Sequence, residues 1–164
     1  MLDASTLKRL QAEQFRHDQR NHSDIICLPK VDRLKHYGLH YAKYVGRLFR
    51  PNEAITVQRT VTDTALVCLS AANTLHQRID QHDYQSQVPD RSELLARFAD
   101  ASGRFADACE KIDHLENFLD QAKTANIDVM DWVVQQATVL QLDLVSVIGT
   151  RRRELADRAF FIKD

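Results

Sequence analysis

The chain has 164 residues, a formal net charge of -1 and a charged fraction of 27%, which suits a soluble globular protein with one domain, 1–164, and a full core. A balance this close to neutrality argues against a generic nucleic-acid or membrane-surface binder. With four glycines and three prolines between long Leu-, Ala-, Gln- and Arg-rich segments, the composition points to a mostly helical protein.

Residues 3 to 20 predict a weakly amphipathic helix whose apolar points are Leu7, Leu10 and Phe15. The loop N-H-S-D-I-I-C-L-P-K follows, and Pro29 delays the next helix until after Lys30. That helix runs from Val31 to Phe49, stops before Pro51, and carries a core stripe of Leu34, Tyr37, Tyr41, Tyr44 or Val45, and Leu48. Asn52 is suited to cap a helix over 53–80, apolar on most sides through Val61, Leu66, Cys68 and Leu69. The segment Q-H-D-Y-Q-S-Q-V-P-D, 81–90, reads as a polar linker, and Asp90 with Glu93 has capping-box spacing.

Beyond it, Leu94, Phe98, Ala101, Phe105, Ala108, Ile112, Leu115, Leu119 and Ala122 alternate steps of four and three, the spacing of one long coiled-coil-like helix. Asn126 is expected to cap a last long helix containing Ile127, Met130, Val134, Leu140 and Leu144, with Gly149 as its end or a weak point before R-R-R-E-L-A-D-R. No hairpin chemistry is visible. The expected fold is all-α, a bundle of five helices or so, and the broad apolar surface of the two long helices predicts a homodimer. The windows A-K-Y-V-G-R-L (42–48) and A-D-A-S-G-R-F (99–105) suggest a repeat of two helical hairpins, 31–80 and 91–150.

Cys27, Cys68 and Cys109 are odd in number, far apart and without C-x-x-C spacing, which predicts free thiols in a reducing compartment. Cys68 and Cys109 fall in apolar stripes, and His76, His82 and His114 stand isolated on polar surroundings. Trp132 lies off the main apolar face, placed to pack against a neighbouring helix or subunit or to stack a base. No basic-then-apolar leader opens the chain, and its longest apolar run, 65–72, is too short to span a bilayer, so a cytoplasmic location is expected.

Two constellations carry possible chemistry. His36, His40, Lys43, Arg47 and Arg50 recur at steps of four and three, so they project along one line. The simplest reading of that line is a solvated face. Its arginine forks and lysine also suit phosphate, whereas a metal shared by the two imidazoles meets repulsion from Lys43 and Arg47. The other constellation is acidic: Glu110, Asp113 and Glu116 on one helix, Asp128 and Asp131 on the next. Pairs at i, i+3 on adjacent helices suit Mg²⁺, although Asp128 also fits a first-turn charge complementing the helix dipole.

The patterns E-K-I-D (110–113) and D-V-M-D (128–131) resemble the E-x-x-E and E-x-x-D helices of MazG-type nucleoside triphosphate pyrophosphohydrolases. The stretch 139–161 is similar to that family's ending, a helix, an L-x-x-D-L turn and a basic helix. In the first half, K-H-Y-G-L-H-Y-A-K-Y-V-G-R-L resembles the helix bearing E-E-x-x-E. V-T-D-T-A-L-V-C-L-S-A-A-N-T-L resembles the E-x-x-D helix and retains Asp63. Lys43, Tyr44, Arg47 and Thr60 stand where the family has carboxylates, and the second half retains Asp100 with Ala101 and Arg104 in the other places. The resemblance implies an all-α fold and a nucleoside triphosphate ligand. It leaves two versions of the activity: a Mg²⁺-dependent pyrophosphohydrolase using Glu110, Asp113, Glu116, Asp128 and Asp131, or an inactive relative gripping phosphate with His36, His40, Lys43 and Arg47. The alternative from another class is a helical interaction module that binds a protein partner or itself.

Overall fold

The computed structural model describes residues 2–50, 55–84 and 90–158. Among the described residues there are seven α-helices and no strand: α1 (Ala4–Asn21), α2 (Ser23–Ile26), α3 (Lys30–Phe49), α4 (Val57–Thr74), α5 (Arg91–Asp113), α6 (Leu119–Val139) and α7 (Leu144–Ala156). The protein is all-α, as expected, with more and shorter helices than the five or so read from the sequence. No single described helix is long and apolar enough to cross a membrane.

The two extra helices are α2, formed inside the expected loop N-H-S-D-I-I-C-L-P-K, and α7, cut off by the second of two unexpected reversals. The four-and-three pattern from Leu94 to Ala122 does not form one rod; the chain turns back at 114–118, and Ile112, Leu115 and Leu119 fall at or beyond the end of α5. A second reversal at 140–143 divides the expected last helix, so Gly149 lies inside α7 and ends nothing. Asn126 is no cap; it sits fully buried in the middle of α6. Asp90 does cap α5, accepting from the Glu93 N–H at 2.9 Å. Asn52 lies outside the described residues, and α4 starts instead at a Thr56 cap whose hydroxyl oxygen accepts from the Arg59 N–H.

Three helices end in the same way. At α4, α5 and α6 the amide two residues beyond the cap returns to a carbonyl five residues back: Gln77 to Ala72, Glu116 to Lys111, Leu142 to Ala137. This closure needs a left-handed residue, usually glycine. Here the positions belong to His76, Leu115 and Gln141, with φ of 50°, 58° and 53°. Leu115 combines that strain with a side chain 95% exposed. Leu115→Gly is therefore expected to stabilise the fold: relief of about 1–2 kcal/mol of left-handed strain outweighs the entropy glycine adds to the unfolded chain. A net gain of up to about 1 kcal/mol would raise Tm by about 2–4 °C, readable by calorimetry.

The hairpins α3–α4 and α5–α6 pack side by side, α3 on α5 and α4 on α6, while α1 and α7 pack on α4 and on each other. Between the hairpins Tyr41 is wholly buried, meets Phe105 edge to face at 5.1 Å, and donates its hydroxyl to Asn126 at 2.7 Å. The Asn126 amide donates in turn to Gln77 at 3.0 Å, so this polar core is satisfied. Trp132 stacks on Phe98 at 4.0 Å, and burying each ring contributes roughly 1.5–3 kcal/mol. Cys68 and Cys109 are buried, and Cys27 is exposed. The two similar windows occupy comparable places: Arg47 faces Asp63 of the following helix at 3.5 Å, and Arg104 faces Asp128 of its following helix at 2.7 Å.

Candidate functional site

The polar line of α3 is not simply a solvated face. Leu34, Tyr37, Gly38, Tyr41 and Tyr44 point into the core, which draws the adjacent His36, His40 and Arg47 into partial burial, while Lys43 and Arg50 remain exposed. His36, His40, Lys43 and Arg47 all line one cleft of about 360 Å³, bounded by α3, α4, α7 and the α1–α2 corner. That is within the range of small-molecule sites.

Hydrogen bonding orders this wall. The Lys43 ammonium, which can only donate, lies 3.0 Å from His40 Nδ1, and the Tyr44 hydroxyl reaches the same nitrogen at 3.0 Å. His40 therefore carries its proton on Nε2 and donates it to His36 Nε2 at 3.1 Å, which leaves His36 with its proton on Nδ1. Burial, reinforced by Lys43, lowers the His40 pKa to about 3, and burial lowers that of His36 as well. Near neutral pH both rings are uncharged. The positive charge of the wall belongs to Lys43 and Arg47.

The facing wall concentrates arginines on one carboxylate. Asp63, a residue of α4 only 12% exposed, is met by Arg151 at 2.7 Å, by Arg59 at 3.2 Å and by Arg47 at 3.5 Å. Glu154 takes the second contacts of Arg59 and Arg151, at 3.0 and 3.1 Å. Three guanidiniums against two carboxylates leave one positive charge, and Lys43 makes it two. Arg47 Nη1, although near Asp63, is buried without a hydrogen-bond partner. A buried cationic N–H in that state is costly unless something accepts from it.

The inner end has the opposite character. Asp18 of α1, 5% exposed, accepts from Gln14 Nε2 at 2.7 Å and from the Ser70 hydroxyl at 2.6 Å. Gln14 is held in that sense because its carbonyl oxygen accepts from Arg152 at 2.9 Å, so its NH₂ must face Asp18. Burial pushes the Asp18 carboxyl up to about 6. Ile25, Tyr37, Leu66 and Val67 also line the cleft, Leu66 and Val67 lying between Asp63 and Ser70 along α4.

The five acidic candidates do not converge. Asp113 is paired with Lys35 at 2.6 Å, Glu110 lies 3.8 Å from His114 and is 71% exposed, and Glu116 is exposed in the turn after α5. Asp128 is engaged by Arg104 at 2.7 Å, and Asp131 by His82 at 3.4 Å. The register explains the separation. Gln121 hydrogen-bonds at Arg104 and Asp107, and Asp128 meets Arg104, so α5 and α6 run antiparallel. At 1.5 Å per residue, Glu110 and Asp113 lie about 9 and 13 Å farther along α5 than Arg104, away from Asp128 and Asp131. Asp128 and Asp131 instead border a smaller cleft of about 190 Å³ with Arg97, Asp100, Arg104 and Trp132. Among the described residues no three His, Cys, Asp or Glu side chains are grouped as metal ligands.

Sequence reasoning missed Gln14, Asp18, Ser70 and Arg151. Arg151 belongs to a triplet too short to signal a nucleic-acid patch, and nothing in the triplet marks its first two members as buried. Asp18 lies in a polar helix where one more aspartate carries no signal. Compared with models of protein families, with curated proteins and with solved structures, the chain has no match.

Proposed function

We propose that the cleft between α3, α4 and α7 binds a phosphate-bearing small molecule of the nucleotide class, and that the chain is a MazG-like protein of the non-catalytic, phosphate-gripping kind. The observation that carries this reading is the gathering of Lys43, Arg47 and Arg151 around the one carboxylate Asp63 at one end of the cleft, with the buried Arg47 Nη1 lacking an acceptor. A phosphate oxygen supplies that acceptor, and Lys43 and the neutral His36 add donors beside it. Magnesium does not fit here: Lys43, Tyr44 and Arg47 occupy the positions where the resemblance puts carboxylates, and the retained Asp63 is already surrounded by arginines. In the smaller cleft Arg104 holds both Asp100 and Asp128, so a cation there would have to displace a guanidinium.

Calorimetric titration with pyrophosphate and with nucleoside mono- and triphosphates, with and without Mg²⁺, tests the proposal. Binding without Mg²⁺ is expected. Arg47→Glu should weaken it by about thirtyfold or more, since a buried charge contact is lost and a repulsion replaces it. Indifference of affinity to Arg47→Glu would sink the phosphate grip, and binding that required Mg²⁺ would favour the pyrophosphohydrolase version.

A second reading, a module that binds a protein or its own copy, is favoured by a separate observation. Phe49, Val57, Val139 and Leu140 are exposed apolar side chains, and the last three border an apolar cleft of about 390 Å³ with Leu48 and Leu94. A titration without any heat from phosphate ligands would move the proposal to this surface, where sedimentation would report a homodimer.

A further inference from the structure

We infer that the inner end of the same cleft, built from Asp18, Gln14 and Ser70, reads the base of the bound nucleotide and selects guanine. This rests on the phosphate reading above and adds to it the identity of the other half of the ligand.

The two ends are separated along one face of α4. Asp63 stands at the cationic end and Ser70 at the acidic end, with Leu66 and Val67 between them on the cleft wall. Seven residues of helix place the ends about 10 Å apart. That matches the span from the phosphate to the far edge of the base in a nucleoside monophosphate. The α4 wall between them is apolar through Leu66 and Val67, and Ile25 and Tyr37 add apolar surface to the same cleft. Cationic, apolar and acidic sections thus follow in the order phosphate, base face and base edge.

The donor–acceptor pattern of the inner end decides among the bases. Each Asp18 oxygen already accepts one hydrogen bond, from Gln14 or from Ser70, and a carboxylate has about four acceptor sites in all. The two that remain lie on adjacent oxygens of one group. Guanine presents two adjacent donors, N1–H and the N2 amino group, which match that pair. Adenine offers an acceptor, N1, next to its amino group. Uracil flanks its one N–H with two carbonyls, and cytosine places N3, an acceptor, next to its amino group. Each of those sets a lone pair against a buried carboxylate. Arg152 holds Gln14 so that its NH₂ stays on Asp18, and Gln14 is therefore a positioning residue for the base reader. The raised pKa of Asp18 belongs to an incompletely compensated buried carboxylate, which two more donors would relieve.

The test is calorimetric titration of the intact chain at pH 7.5 with GMP, IMP, AMP and UMP, beside ribose 5-phosphate and inorganic phosphate as probes of the anion grip alone. GMP is expected to bind at least about tenfold tighter than IMP, which lacks the amino group, and AMP and UMP weaker still. Asp18→Asn should reduce the preference for GMP over AMP to less than about threefold while leaving the ribose 5-phosphate affinity unchanged. If the wild-type chain binds ribose 5-phosphate and all four nucleotides within twofold of one another, base reading is wrong and the anion grip stands. If it binds none of the probes, both fall. The wild-type series decides the matter even if Asp18→Asn does not fold.

Discussion

Asp63→Ala is expected to destabilise the protein by about 3–5 kcal/mol, a fall in Tm of roughly 6–20 °C. The carboxylate is 12% exposed and stands within 3.5 Å of three guanidiniums, of which Arg151 is 9% and Arg47 15% exposed. Removing it leaves Glu154, itself 48% exposed, against Arg59 and Arg151 and takes away the Asp63 contact of Arg47. The loss is not the worth of the ion pairs, which desolvation largely cancels; it is the penalty of burying cations without their counter-charge. Asp63→Asn, which keeps an acceptor in the same place, should fall between wild type and alanine. The binding proposal adds a second expectation. Pyrophosphate should raise the Tm of Asp63→Ala more than that of wild type, because an anion in the cleft takes over the missing charge. A loss under about 1 kcal/mol would mean that the arginines reach solvent on their own and that the cleft holds no concentrated positive charge.

How much of this was legible in the sequence depends on which signal each feature uses. Helical periodicity placed α1, α3 and the start of α5 within a residue or two, because their apolar stripes face one core and Asp90 is an ordinary cap. The ends of α4, α5 and α6 were not legible for one shared reason. Each closes through a left-handed residue, and His76, Leu115 and Gln141 sit where a glycine would have announced the stop. At α5 the disguise was complete, because Leu115 and Leu119 continue the four-and-three spacing across a chain reversal. The Asn126 signal failed differently. An asparagine suits a cap, but it equally suits a buried position with three partners, and only the tertiary fold supplies Tyr41, Cys68 and Gln77 around it.

The site divides along the same line. That His36, His40, Lys43 and Arg47 share a face follows from spacing alone, within one helix. Whether the face meets water or a cleft depends on α4 and α7, whose docking brings Asp63 and Arg151 opposite it. No local pattern encodes that. The acidic set shows the converse hazard: i, i+3 pairs on successive helices look convergent, yet antiparallel register slides Glu110 and Asp113 past Asp128 and Asp131 and leaves each acid near a different basic partner.

The largest solution effect expected is on acid stability. His17 is 9% exposed with a pKa lowered by burial to about 4, and His40 is lowered by burial to about 3. Both rings are neutral in the fold and free to take a proton once unfolded, where the ordinary value is 6.5. The unfolded chain then binds more protons than the folded one below pH 6.5, so stability is fully present above that pH and is lost as pH falls towards 4 and 3. At pH 5 each ring contributes a loss of about 2 kcal/mol relative to pH 7.5. Asp18 acts in the other direction. Its folded pKa of about 6 exceeds the ordinary 3.8, so the fold gains a proton between those values and recovers about 1 kcal/mol at pH 5. His22 and His36, both lowered chiefly by burial, add to the side of the histidines. The histidines win, and the net loss is about 3 kcal/mol, a drop in Tm of about 6–12 °C between pH 7.5 and pH 5 in the absence of ligand. His40→Gln should remove about 2 kcal/mol of that drop, since glutamine can accept from Lys43 without having a proton to gain. A Tm that stayed level from pH 7.5 to 5 would mean that His17 and His40 are hydrated and titrate as in the open chain.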